Sequence, residues 1–213
     1  MKTDELIHLL AADDRPVQRN AIEQRFGVAT LAGIAGAGAL MLALFGLRPD
    51  LLATMALPMF WGKLMFSAAL ATAGLALLRR MARPGMAVGA AALWLAVPPL
   101  VLWAMALVAL AQVPAAERMQ LILGSTWRTC PFSIAALSVP AFVAGFWALK
   151  GAAPTRLAWS GAGAGLLAGA LGALVYALHC PEMATPFLAV WYVAGMAIPT
   201  AVGAVLGPRL LRW

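Results

Sequence analysis

Charged residues are scarce in this sequence. Only 11% of its 213 residues are Asp, Glu, Lys or Arg, whereas 63% are hydrophobic and the mean hydropathy is +0.89. A soluble domain has about 25% charged and 45–50% apolar residues. The composition therefore excludes an ordinary soluble domain and predicts an all-α integral membrane protein. The net charge of +7 does not indicate nucleic-acid binding, because the basic residues stand singly or in short groups beside apolar runs.

Several functional signatures are also missing. The interiors of the apolar runs contain no Asp, Glu, His or Arg, which counts against an ion-coupled transporter, since such proteins use buried ionisable groups. There is no Cys-x-x-Cys sequence and no glycine loop of the kind that holds phosphate. We therefore expect no enzymatic activity. Prolines inside the runs, at Pro98-Pro99, Pro140 and Pro199, predict kinked helices.

The apolar residues fall into six runs, each close to the roughly 20 residues that a membrane-spanning helix needs. The predicted spans are about 28–47, 59–78, 86–110, 130–149, 158–178 and 187–206. Residues 28–213 are thus predicted to form a six-helix transmembrane domain, preceded by a separate segment at 1–27. A short interfacial helix is expected between Pro114 and Gly124, in the longest connecting loop.

The basic residues are distributed unevenly between the two sides of these spans. With the N-terminus in the cytoplasm, eleven Lys and Arg lie on the cytoplasmic side and four lie outside. The positive-inside rule then predicts that both termini are cytoplasmic. In this orientation the only two cysteines, Cys130 and Cys180, face outward, because one opens a span and the other follows the end of the next.

Residues 1–27 differ from the rest of the chain, with nine charged residues and little apolar surface. Thr3, Asp4 and Glu5 are typical of a helix start, where side-chain oxygens and negative charge suit the free N–H groups. The apolar positions recur at helical spacing in two groups: Leu6, Leu9 and Leu10, then Val17, Ala21, Ile22 and Phe26. Asp14 is a candidate cap for the second short helix. Both helices are shorter than the roughly 12–15 residues needed for stability in water, so a partner or the lipid surface must hold them.

The two cysteines leave three alternatives open. They could form a structural disulfide in an oxidising compartment, act as a switch that an oxidant or a soft metal ion closes, or remain two inert buried thiols. A metal site would draw on thiolate and imidazole ligands, and the candidates are Cys130, His179, Cys180 and Glu182. Apart from that soft metal ion, no cofactor is expected.

Two further features have packing interpretations. Gly161, Gly165 and Gly169 recur every fourth residue, a spacing that lets another helix approach closely, either within this chain or in a homodimer. Lys63 lies about one turn inside the second span. We expect its side chain to extend to the membrane surface, although a lysine in a span is also a functional candidate.

Several short motifs together resemble NrsF-type anti-sigma factors, although none is specific alone. They are Met1-Lys2-Thr3-Asp4-Glu5-Leu6-Ile7, Leu10-Ala11-Ala12-Asp13, Pro16-Val17, Phe60-Trp61-Gly62-Lys63, Cys130-Pro131 and His179-Cys180-Pro181-Glu182. Members of that family are six-span proteins of the bacterial inner membrane that restrain an extracytoplasmic-function sigma factor. The resemblance implies that the cytoplasmic N-terminal segment binds the sigma factor, through Asp4, Leu6, Leu9, Leu10, Asp13, Pro16 and Val17. It also implies that Cys130 and Cys180 take part in sensing.

The hypothesis is therefore a membrane-bound signal relay whose partners are a sigma factor and the lipid bilayer, without direct contact to nucleic acid. Alternatives are a small membrane transporter or transporter subunit, perhaps for metal ions, and a thiol oxidoreductase with a bound quinone or flavin. The N-terminal segment could instead lie on the lipid surface, but its acidic residues disfavour a negative inner leaflet.

Overall fold

A computed structural model of the protein describes residues 3–12, 20–83, 86 and 89–212, which are helical with short connections. The helices are α1 (Thr3–Ala12), α2 (Ala21–Leu44), α3 (Leu51–Thr54), α4 (Pro58–Met81), α5 (Ala91–Ala111), α6 (Ala115–Leu123), α7 (Cys130–Lys150), α8 (Leu157–Tyr176), α9 (Thr185–Phe187) and α10 (Val193–Leu210). A wider π-helical turn, Leu188–Tyr192, joins α9 to α10. No β-strand occurs in this described part of the chain.

Six helices among the described residues are long and apolar enough to cross a membrane, as predicted. They are Ala21–Leu44, Pro58–Met81, Leu93–Ala111, Cys130–Lys150, Leu157–Tyr176 and Thr185–Leu210. The predicted boundaries lie within a few residues of the observed ones, apart from the first and third helix starts. The short helix predicted between Pro114 and Gly124 is also confirmed as α6, which follows Pro114 and ends at Gly124, where φ is +56°.

The start of α2 corrects the prediction for the N-terminal segment. Ala21, Ile22 and Phe26 do not belong to a separate short helix, because they form the first turns of the long helix Ala21–Leu44. Phe26 is buried, so tertiary packing extends the helix past the apolar run. The predicted division at residue 27 therefore falls inside α2. The candidate cap Asp14 and the apolar residue Val17 lie outside the described residues.

Helix α8 occupies the centre of the bundle, and 14 of its 20 residues are buried. The predicted glycine stripe packs against α10: a Cβ atom on Gly165 would lie 2.8 Å from the Thr200 Cα, and one on Gly169 would lie 2.9 Å from the Met196 Cα. Gly161 likewise meets the backbone of Gly203. The stripe therefore packs closely against α10 of the same chain, which occupies the face that a homodimer through these glycines would use.

The helices bring two groups of polar residues to opposite ends of the bundle. At one end the start of α7 lies beside the loop that follows α8, and this "thiol end" contains both cysteines. At the other end the first turns of α2 contact the last turn of α7 through Arg25 and Trp147. We call this second group the "arm end", because the N-terminal arm, residues 1–19 including α1, precedes it in the chain.

Candidate functional site

The two thiols meet inside the thiol end. Cys130 is the first residue of α7, Cys180 lies four residues after α8, and both are fully buried free thiols. Their side chains interact directly. Pro131 occupies the first turn of α7, where its missing N–H costs nothing, and the Cys130 N–H donates to the Thr126 carbonyl at 2.9 Å. The two cysteines, one at the start of a span and one after the end of the next, thus lie close together.

The environment favours the thiolate form of Cys180. Its interaction with the Cys130 thiol, supported by the nearby Lys63 ammonium, lowers the pKa of Cys180 from the ordinary 9.0 to about 6, despite the opposing effect of burial. A neighbouring cation and a hydrogen-bonding group are known to stabilise a thiolate. The geometry therefore distinguishes the two cysteines, and Cys180 is the stronger nucleophile and the stronger ligand for a soft ion at neutral pH.

Lys63 does not extend to the membrane surface, so that prediction is wrong. Its side chain is completely buried, and the ammonium donates to the Cys180 carbonyl at 2.9 Å and the Glu182 carbonyl at 3.1 Å. The loop after α8 provides these two acceptors inside the bundle, which removes the reason for the side chain to reach water. The buried position of Lys63 therefore favours the other interpretation, in which a lysine within a span has a functional role.

The structure separates the four candidate metal ligands. Glu182 accepts hydrogen bonds from Ser125 and Thr126, and the His179 ring bonds to the Gly46 carbonyl at 3.1 Å and packs on Phe45. Across the described ranges, no group of three or more His, Cys, Asp and Glu side chains is placed to hold a metal ion. The arrangement therefore favours a two-thiol site over a four-ligand one.

Two tyrosines complete the surroundings of the thiols, and the sequence analysis missed both. Tyr192 is fully buried in the π-helical turn, and its hydroxyl faces Cys180 without a hydrogen bond of normal geometry. Tyr176, the last residue of α8, packs against Tyr192 with the rings tilted and their centroids 6.2 Å apart. π-Helical turns are frequent at functional sites, but the insertion depends on packing and leaves no periodic signal in an apolar run.

The arm end contains two polar contacts that the sequence analysis also missed. Arg25 donates to the Trp147 carbonyl from Nε at 3.2 Å and from Nη2 at 2.8 Å, and its guanidinium lies 4.1 Å from the Trp147 ring centroid. Arg83, just beyond α4, forms an ion pair with Glu23. These contacts fasten the beginning of α2 to the ends of α4 and α7.

Four of the seven predicted partner-binding residues lie in helix α1. Asp4 and Leu6 lie in α1, and Leu6 and the adjacent Ile7 are 41% and 57% exposed. Leu9 and Leu10 belong to the same helix. Asp13, Pro16 and Val17 lie outside the described residues. The helix predicted from Thr3 is thus confirmed, and its described apolar side chains are available to a partner.

Comparisons with known proteins agree with the motifs. Residues 10–213 match the family model described as NrsF, negative regulator of sigma F. Over the full length of both chains, the protein is 46% identical to the probable anti-sigma-F factor NrsF of Azospira oryzae. It is 37% identical, again over the full length of both, to the anti-sigma-F factor NrsF of Caulobacter vibrioides. No solved structure matches the chain.

Proposed function

Because the chain belongs to the NrsF family of negative regulators of sigma F, we propose that it holds a sigma factor at the bacterial inner membrane and releases it when a signal alters the thiol pair. The partner in this proposal is a sigma factor of the extracytoplasmic-function class, bound on the cytoplasmic side. The family consists of regulators and not of enzymes, so the oxidoreductase alternative is not retained. Family membership also leaves no support for the transporter alternative.

Helix α7 is the observation that best supports a relay between the two ends of the bundle. It begins at Cys130, and near its other end the Trp147 carbonyl accepts both hydrogen bonds from Arg25. Arg25 lies close to the start of α2, the helix that follows the N-terminal arm. A movement of α7 at the thiol end is therefore transmitted along this helix, and through its hydrogen bonds with Arg25, to the start of α2.

The chemistry of α1 suits a docking helix. Leu6 and Ile7 are exposed, and a helix of ten residues gains little stability by itself. Apolar anchors of this kind bind in a groove of a partner, while acidic residues such as Asp4 guide the approach to a basic surface. Leu9, Leu10, Asp13, Pro16 and Val17 are further contacts in this proposal.

Thiol chemistry supplies a large part of the free energy that such a switch requires. Moving a two-state equilibrium from 1:99 to 99:1 takes about 5.5 kcal/mol of differential binding. Closing a disulfide constrains the chain by about 2–4 kcal/mol, and a metal ion held by two thiolates contributes energy of similar or larger size. An oxidant or a soft metal ion are therefore the two chemical classes of signal that fit the site.

The docking role is tested by removing the arm without shortening the first span. Deletion of residues 2–19 leaves α2 whole, and we expect the truncated protein to remain in the membrane while the sigma factor becomes soluble and active. Leu6→Asp should weaken retention about tenfold or more, since an unpaired charge in an apolar contact costs at least 1.4 kcal/mol. The measurement is co-purification of the sigma factor from detergent-solubilised membranes.

Leu52→Asp is the matched control. Leu52 is an 85% exposed leucine in α3, at the thiol end, and the same substitution there should leave retention unchanged. If the truncated protein still retains its sigma factor, the arm is not the binding segment. Retention would then have to involve the basic loop after α4 or the C-terminal residues.

A further inference from the structure

The carboxylate of Glu182 joins the two segments that carry the cysteines. Its Oε1 accepts hydrogen bonds from the Ser125 N–H at 2.7 Å, the Ser125 hydroxyl at 2.6 Å, the Thr126 N–H at 3.1 Å and the Thr126 hydroxyl at 3.3 Å. The Thr126 carbonyl in turn accepts the Cys130 N–H. Glu182 thus lies two residues after one cysteine and determines the geometry of the turn that leads into the other.

Lys63 holds the same loop from the opposite side. Its ammonium donates to the backbone carbonyls on either side of Pro181, and it is completely buried in α4. Burying an ammonium is unfavourable unless hydrogen bonds and nearby negative charge compensate for it. An arrangement this costly holds the loop in one position, whereas a surface lysine would not.

We propose that Glu182 and Lys63 are positioning residues that hold the two thiols against each other and thereby determine how readily the pair forms a disulfide. The inference rests on the proposed function, because it concerns the regulation of the same thiol pair. Neither residue reacts; Glu182 acts through the turn before Cys130, and Lys63 acts through the loop that carries Cys180.

The reaction that reports on this role is exchange with glutathione disulfide. The thiolate of Cys180 attacks one glutathione sulfur, a mixed disulfide forms, and one glutathione leaves as thiolate. Cys130 then loses its proton and attacks the Cys180 sulfur, which releases the second glutathione. Two protein thiols are oxidised and one glutathione disulfide is reduced, so the equilibrium constant measures how well the thiols are placed for each other.

The experiment uses the full-length protein in detergent, equilibrated in glutathione buffers of defined ratio, with the disulfide fraction read by mass spectrometry after alkylation. Glu182→Gln keeps the side-chain shape and removes the charge that strengthens four hydrogen bonds. We expect its equilibrium constant for disulfide formation to fall about tenfold. A tenfold fall raises the reduction potential of the pair by about 30 mV. At about pH 5, where Cys180 is largely protonated and Lys63 no longer stabilises a thiolate, Lys63→Met should change the constant in the same direction.

Glu117→Gln is the matched control. Glu117 is an exposed carboxylate in α6 that lines the same outer groove of about 630 Å³ as Glu182 and Ser125. Its substitution should leave the constant unchanged. Ser125→Ala removes only the hydroxyl donor of an exposed residue, so it retains the fold and should lower the constant by a smaller factor.

An unchanged or larger constant in Glu182→Gln and Ser125→Ala overturns the positioning role. Retention of the sigma factor is measured separately. If Cys130→Ser does not alter release of the sigma factor while Glu182→Gln still shifts the equilibrium, the sensing part of the proposed function is wrong and the positioning role stands.

Discussion

Individual residues at the thiol end have unequal chemical roles. Cys180 interacts with Cys130, Lys63 and Tyr192, and all three lower its pKa, Cys130 most strongly. Cys130 instead begins a helix and is linked through its N–H to the preceding turn. Under the proposed function, this asymmetry predicts that Cys180 reacts first with an electrophile or soft ion and that Cys130 reacts second.

The asymmetry predicts a thiolate transition near pH 6 in the reduced protein, measured by ultraviolet absorbance of the thiolate against pH. The transition should disappear in Cys180→Ser and persist at higher pH in Cys130→Ser, since Lys63 remains. Because the pKa is lowered on folding, the associated stability is fully present above pH 9.0 and is lost as the pH falls to about 6. A single transition near the ordinary pKa would contradict the thiolate assignment.

At the scale of elements, the contact between α8 and α10 is the closest in the bundle. Glycines on both helices allow backbone to touch backbone, as at Gly161 and Gly203. This pair supports the loop and the π-helical turn that lie between the two helices in the chain. The position of Cys180 and Tyr192 therefore depends on how tightly α8 and α10 pack.

Gly165→Ala should loosen this contact. Its Cβ would lie 2.6 Å from the Pro199 carbonyl carbon and 2.8 Å from the Thr200 Cα, and backbone cannot move aside as a flexible side chain can. We expect a loss of about 1–3 kcal/mol, measured as a lower midpoint of thermal unfolding in detergent.

Gly38→Ala provides the comparison, because no atom lies within 4 Å of the Cβ position at Gly38 in α2. There the substitution should be neutral, or stabilising by about 0.5–1 kcal/mol through helix propensity. Equal effects of the two substitutions would show that the α8–α10 contact does not limit stability.

Across the whole molecule, the two ends of the bundle contain different polar groups. The thiol end holds a buried polar cluster, and the arm end ties α2 to α4 and α7 through Glu23–Arg83 and Arg25–Trp147. The six long helices run between these ends, and the packing of these helices links one end to the other. In the proposed relay, a change in helix packing therefore connects the two ends.

The orientation of the bundle remains a prediction of the basic residues, which divide eleven to four. Reporter fusions after residue 83 and at the C-terminus should give a cytoplasmic signal, and fusions near residues 120 and 183 should give an extracytoplasmic one. A cytoplasmic signal near residue 120 would place both thiols in a reducing compartment and exclude a periplasmic signal.

Local composition was enough to predict the helices and their approximate ends. The six apolar runs predicted the spans, and Pro114 and Gly124 predicted the ends of α6. Because consecutive spans are antiparallel, the start of one and the end of the next placed Cys130 and Cys180 at one end. Hydrophobic length and turn chemistry act over a few residues, so they can be recognised without knowing what packs against them.

The contacts of the polar side chains could not be predicted in the same way, because they depend on long-range packing. Lys63 lies buried because two carbonyls from a loop about 117 residues away in sequence accept hydrogen bonds from its ammonium. Glu182 accepts hydrogen bonds from the turn that precedes Cys130. The glycine stripe met α10 of the same chain for a similar reason. Each outcome depends on which distant group occupies the facing position, and the energetic cost of burying a polar group or bare backbone selects that partner.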